Sequence, residues 1–168
     1  MPGTLLPLNR RTLVALLGAV LLAAAGIGWA VSNVAAQATE DTVLIHTDAA
    51  THAFKVEVVD TDATRARGLM FRQELAPNAG MLFDFIEERP ASFWMENTFI
   101  PLDMIFARAD GEIVRVHANA IPHDRTPIPS GEPVRFVLEI PGGRAAELGI
   151  TAGDVLEHPR VTAEKSAP

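Results

Sequence analysis

The fold of this chain is constrained first by how often its apolar runs are interrupted. From residue 42 onward, short β-branched and aromatic segments are cut at fairly regular spacing by Gly- and Pro-containing turns. Thr42–Thr47 and Ala53–Val59 flank the turn-like Asp48-Ala49-Ala50. In the second run Phe54, Val56 and Val58 alternate with Lys55 and Glu57, the period-2 pattern of a half-buried strand. Met81–Phe85, Ala91–Met95, Leu102–Ala107, Glu112–Ala120, Val134–Ile140 and Asp154–Glu157 read as further strands. Asp110-Gly111 joins two of them as a hairpin. Helices are confined to Ala63–Arg67, capped from Asp60, Thr61 or Asp62 and ended by Gly68, and to Arg144–Leu148, between Gly143 and Gly149. Glu87–Pro90 reads as a solvated break, and Ile121–Pro133, with four prolines, as a long irregular loop. The pattern predicts a mainly β single domain, a β-sandwich or jelly-roll-like barrel with one or two short helices.

The first 38 residues are different in kind. Arg10-Arg11 precedes an uncharged apolar run from Leu13 to Val31, and Ala36-Gln37-Ala38 places small residues where a signal peptidase reads. This is the pattern of a signal peptide over residues 1–38, cleaved after Ala38, which predicts a periplasmic or secreted protein. The 19-residue run is also about long enough to span a bilayer, so an uncleaved leader would act as an anchor. The mature domain, 39–168, has 130 residues, enough for one core.

Composition excludes several classes. Without the two leader arginines, 12 basic residues face 21 acidic ones, and only Lys55 and Lys165 are lysines. Nucleic-acid binding needs clustered cations and is not expected. The absence of cysteine removes disulfides, thiolate metal sites and thiol nucleophiles together. No Gly-x-Ser-x-Gly or His-Glu-x-x-His motif occurs, and no cofactor is implied.

The chemistry-bearing residues concentrate in Ser92–Asp103, SFWMENTFIPLD. Here aromatic residues and Met95 surround Glu96-Asn97-Thr98, and Asp103 is the lone charge of the apolar run Leu102–Phe106. One reading makes this a ligand pocket, with Trp94 stacking, Asn97 and Thr98 orienting, and Asp103 and Arg72 setting polarity. The other makes Trp94 core, Asn97 and Thr98 turn formers, and Asp103 an acceptor for loop amides. Arg72 could instead pair internally with Asp103 or Glu139. Two further chemistries are open. Asp103 with Glu96 or a nearby His could form a hydrolytic carboxylate site. Met70, Met81, Met95 and Met104 could hold Cu(I) through their thioethers, although each lies within two residues of an aromatic it could pack against.

Gly68-Leu69-Met70-Phe71-Arg72, Gly80-Met81-Leu82-Phe83, Phe93-Trp94-Met95-x-Asn97-Thr98-x-Ile100-Pro101-Leu102-Asp103 and Leu138-Glu139 occur in this order. Together they closely resemble the signature blocks of the domain-of-unknown-function 192 family, over about residues 54–161. The resemblance implies a compact, jelly-roll-like β domain, often behind a bacterial signal peptide, and implies no activity. Glu96 falls where that family varies. The sequence therefore predicts an exported domain that binds a small molecule, peptide or glycan, with carboxylate hydrolysis and Met-based copper binding as alternatives.

Overall fold

The computed structural model describes residues 37–161. The expected leader lies outside the described residues except for its last two positions. Seven strands follow in chain order: β1 (Thr42–His46), β2 (Thr51–Val59), β3 (Ala79–Phe93), β4 (Leu102–Ala107), β5 (Ile113–Ala120), β6 (Ile128–Pro141) and β7 (Val155–Glu157). Helix α1 (Asp62–Arg67) lies between β2 and β3, and α2 (Arg144–Leu148) between β6 and β7. Thr61 caps α1 reciprocally with Thr64, each side chain bonding the other residue's backbone N–H, and Gly68 follows its last residue. Among the described residues no helix is long and apolar enough to cross a membrane.

The mainly β expectation is met by one sheet in the order β5-β4-β6-β3-β2-β1-β7. Every neighbouring pair is antiparallel except β2 and β3, which the α1 crossover makes parallel. The sheet curls until its edges touch, where Glu112 bridges Val155 and the Ile113 and Leu156 amides bond Asp154 and Gly111 across the seam. Alternation along the strands splits the core between the two faces. Val43, Ile45, Phe54, Leu82, Ile105, Phe136 and Leu138 pack on the first face with Ala145 of α2. Met81, Phe83, Met95, Met104, Phe106 and Val137 pack on the second, with Leu69 from the α1 exit. All six residues of β4 are buried, because it lies between β5 and β6 with a core on each side. Without disulfides, these side chains carry the stability, at about 1.5–3 kcal/mol for each large one fully buried.

Two boundaries differ from expectation. Glu87–Pro90 is not a break: β3 runs unbroken from Ala79 to Phe93. Its ladder with β6 carries an irregularity between Asp84 and Arg89, where Ile86 takes a left-handed φ of 69°. Its exposed polar residues erase the hydrophobic alternation, yet the backbone stays paired. Nor does the Pro-rich loop extend from Ile121 to Pro133. It ends before β6, which begins at Ile128 and takes in Pro129 and Pro133, opposite Ser92 and Pro90. Proline lacks a donor, but at a ladder irregularity the lost bond costs little. The bend is fixed by the buried Asp84, which accepts from Ile86 N–H at 2.8 Å and from Arg135 at 3.0 Å. Burial alone would raise the Asp84 carboxyl, but the Arg135 hydrogen bond, the Ile86 amide and the charges of Arg135 and Arg160 hold it below its ordinary value.

Asp103 is fully buried on the first face. It accepts from the amides of Asn119 (2.7 Å), Gly143 (2.9 Å) and Ala145 (2.7 Å), tying β4 to the end of β5 and the start of α2. Asp103→Asn keeps one acceptor oxygen and turns an NH2 donor toward an amide donor. Urea unfolding of this variant should show a loss of roughly 2–4 kcal/mol, given the worth of hydrogen bonds to charged groups. An unchanged midpoint would refute the brace.

Candidate functional site

The candidate site is a cleft of about 320 Å³ on the second face, between the α1 end and the outer half of β3. One wall is the exit of α1. Gly68 sits there at φ 48°, and a Cβ on it would come within 3.2 Å of the Phe83 ring, so a glycine lets the chain drop over that ring. The opposite wall comes from β3 and the residue after it, with Phe85, Phe93 and Trp94, while Thr98 closes one side. Phe93 stands edge-on to Phe83, Phe85 and Phe106, at centroid distances of 5.0, 6.3 and 6.0 Å. Trp94 is 53% exposed.

The floor holds Glu139 of β6. Register places it directly between Met81 of β3 and Met104 of β4 on the same face. It is 4% exposed, and no hydrogen bond or ion pair to a described residue offsets its burial, which pushes its carboxyl up to about 8. At neutral pH Glu139 is therefore a carboxylic acid, able to donate as well as accept.

The rim is cationic. The guanidinium groups of Arg65 and Arg89 lie 5.3 and 5.2 Å from the Phe85 centroid. Arg65 is occupied, donating to the Asp60 and Asp84 carbonyls and to the Asp62 carboxylate. Arg67 and Arg89, which also line the cleft, form no ion pair or side-chain hydrogen bond among the described residues. Asp62 is the one acidic residue of the lining besides Glu139.

Of the five residues expected to form a ligand site, the structure brings Trp94 and Thr98 to this cleft. Asn97 is a turn former at φ 55°, with its carbonyl accepting from Phe71 N–H at 2.9 Å. Arg72 pairs with neither Asp103 nor Glu139. Its guanidinium meets both oxygens of Glu57 at 2.6 Å, beside a neighbouring depression lined by Met70 and Phe71. Asp103 belongs to the brace on the other face. Glu96 pairs with Arg125 at 2.6 Å, so each half of the expected carboxylate pair has its own partners. Met81, Met95 and Met104 are buried among the aromatics of the second core, and only Met70 reaches the cleft wall. Among the described residues no group of three His, Cys, Asp or Glu side chains is placed to hold a metal.

Sequence reasoning offers Glu139 only as a possible partner of Arg72 and within a family block, not as a site residue. It is the one acid of Val134–Ile140, which also carries Arg135, so its signal is weaker than that of Asp103, the only charge of its apolar run. Arg89 fell inside the segment read as a solvated break, and no local pattern marks Arg67.

The description of the DUF192 family, "Uncharacterized ACR", matches residues 43–158. The chain belongs to the DUF192 family. No curated protein matches it. Two solved structures are similar to this DUF192 chain at 46% identity and a TM-score of 0.68. One, from Sinorhizobium meliloti, is provisionally described as a transcription regulator; the match covers 69% of this chain and 91% of that one. The other is a protein of unknown function from Novosphingobium aromaticivorans, with 69% and 83% covered. The DUF192 match spans β1 to the end of β7, so both the cleft and the Asp103 brace lie within it.

The buried acid has a testable thermodynamic consequence. Its carboxyl titrates at an ordinary 4.5 when unfolded and at about 8 when folded, so between these values the native state holds the extra proton. Its contribution to stability is full at low pH, falls as pH rises through that window, and levels off above it. Glu139→Gln removes the titration. In thermal melts, the variant's midpoint minus that of the parent should climb by several degrees from pH 5 to pH 9. Parallel profiles would show that Glu139 is ionised and solvated in the native state.

Proposed function

We propose that this chain is an exported small-molecule-binding domain whose ligand enters the cleft between the α1 exit and β3. The observation that carries the reading is Glu139, a nearly buried carboxyl without a partner at the floor of an aromatic-walled cleft. Glu139 keeps its small remaining exposure within the cleft lining, and a polar group converging on an aromatic-walled concavity is how such sites orient a ligand. Three further features support it. The cleft volume falls at the lower end of the range of roughly 300–1,000 Å³ typical of ligand pockets. Trp94 is held at the rim with its ring half exposed, ready to stack. The export reading rests on the charge and hydropathy pattern of residues 1–38.

A ligand that binds only the folded protein raises the melting midpoint by mass action. A thermal-shift screen of the domain from Thr39 onward, across amino acids, sugars, peptides, organic acids and metals, should yield a class that shifts it. Because Trp94 is exposed, Trp94→Ala should melt within about 2 °C of the parent, since surface changes cost little. The same variant should weaken the selected ligand at least tenfold. A screen with no shift in any class would overturn the binding reading.

A further inference from the structure

The cleft has two electrostatic poles separated by an apolar wall. At the floor stands Glu139, flanked by Met81 and Met104 and facing the cleft without a partner. At the rim stand Arg67 and Arg89, with no anion among the described residues, and Arg65, already engaged by Asp60, Asp62 and Asp84. Between them lie the rings of Phe85, Phe93 and Trp94. This cationic rim stands out on a chain of net charge −7.

The geometry points to a small zwitterion with its charges at opposite ends of an apolar body about one ring long, its ammonium on Glu139, its body against the aromatic wall and its anionic group at Arg67 and Arg89. The inference rests on the cleft being the binding site and names the class of molecule it takes. Three physical arguments select this class. An ammonium would give the floor carboxyl the charge-assisted hydrogen bond it lacks, about twice as strong as a neutral one. The aromatic rings offer their negative faces to a cation. A cation alone would have to pass three guanidinium groups, whereas a molecule carrying its own anion meets them favourably. An anion alone would find the rim but leave Glu139 unsatisfied, and a neutral sugar would leave both arginines so. Asp62, the remaining charged group of the lining, already pairs with Arg65 at 2.6 Å.

The reading makes a proton-counting prediction. With the floor carboxyl titrating at about 8, roughly nine-tenths of the free protein holds this proton at pH 7. Docking an ammonium there converts the acid to a carboxylate and expels the proton to buffer. Isothermal titration in buffers of different ionisation enthalpy counts it. Four probes share one ring and differ in charge: 4-(aminomethyl)phenylacetate (zwitterion, with its charges at opposite ends of the ring), benzylamine (cation), phenylacetate (anion) and benzyl alcohol (neutral). The zwitterion should bind tightest and release most of a proton per ligand at pH 7; the release should fall as pH rises through the carboxyl value and turn to uptake where the free amine is itself deprotonated. Glu139→Gln and Arg89→Gln should each weaken it at least tenfold, and Glu139→Gln should abolish the proton release. Arg89 is exposed, so its variant tests the rim without risk to the core.

If phenylacetate or benzyl alcohol binds as tightly as the zwitterion, the inference is overturned while the cleft survives as a site. Binding of the zwitterion at pH 7 without proton release overturns the placement of the ammonium on Glu139. Failure of all four probes, where a sugar or metal from the wider screen does bind, also overturns the inference alone. Failure of every class in that screen overturns the binding site with it.

Discussion

The antiparallel ladder between β3 and β6 is the interaction on which the rest of the structure depends. It begins at Met81 opposite Glu139, passes an irregular bend, and ends at Phe93 opposite Ile128. Its first half is core on both faces. Its second half leaves the core and becomes the outer wall of the cleft. The bend between the halves is held by Asp84, whose carboxylate joins Ile86 N–H to the Arg135 guanidinium, and whose carbonyl takes Arg65 from the α1 wall. One buried ion pair therefore sets the direction in which β3 leaves the sheet, and with it the distance between wall and helix. Gly80 allows the closest approach at the start of the ladder: a Cβ there would lie 2.6 Å from the Glu139 carbonyl oxygen.

Asp103 and Glu139 show how the same sequence signature takes opposite meanings. Each is the single acid of an apolar stretch, Leu102–Ala107 or Val134–Ile140, and each is nearly or wholly buried. They sit on neighbouring strands but on different faces of the sheet, since Asp103 lies opposite Ile140 and Glu139 opposite Met104. Asp103 meets three amides and is a structural tie. Glu139 meets none and keeps its proton. Burial is common to both; partnership distinguishes them, and partnership is a three-dimensional property.

This marks how far the sequence could be read. The strands around Val43–Ile45 and Phe54–Val58, the Asp110-Gly111 hairpin and both helices are visible because local signals govern them: alternation, turn chemistry and caps. The amide-accepting role of Asp103 was one of two open readings, and desolvation cost alone favours it. The continuity of β3 through Glu87–Pro90 was not visible, because exposed polar residues carry no period once pairing partners are unknown. The start of β6 at Ile128 was hidden by prolines that only a bulged partner strand accommodates. Three of the five expected pocket residues, Asn97, Asp103 and Arg72, fall outside the cleft for a similar reason. SFWMENTFIPLD is contiguous in sequence, but it turns at Asn97 and Pro101, which sends Trp94 to one face and Asp103 to the other. Proximity along the chain did not imply a shared site.

The strand order carries a consequence for how the cleft comes into being. Its walls are made from residues 62–98, a continuous stretch in which α1 and β3 are neighbours in sequence. Its floor is supplied by β6, which is synthesised later and must enter between β3 and β4, already separated by the turn at Pro101. Inserting a strand into the middle of a sheet is a non-local step, and such steps come late because loop closure must precede their contacts. A chain whose synthesis stops before residue 128 has walls without a floor. Possession of the complete cleft thus waits on the insertion of β6 at the centre of the sheet.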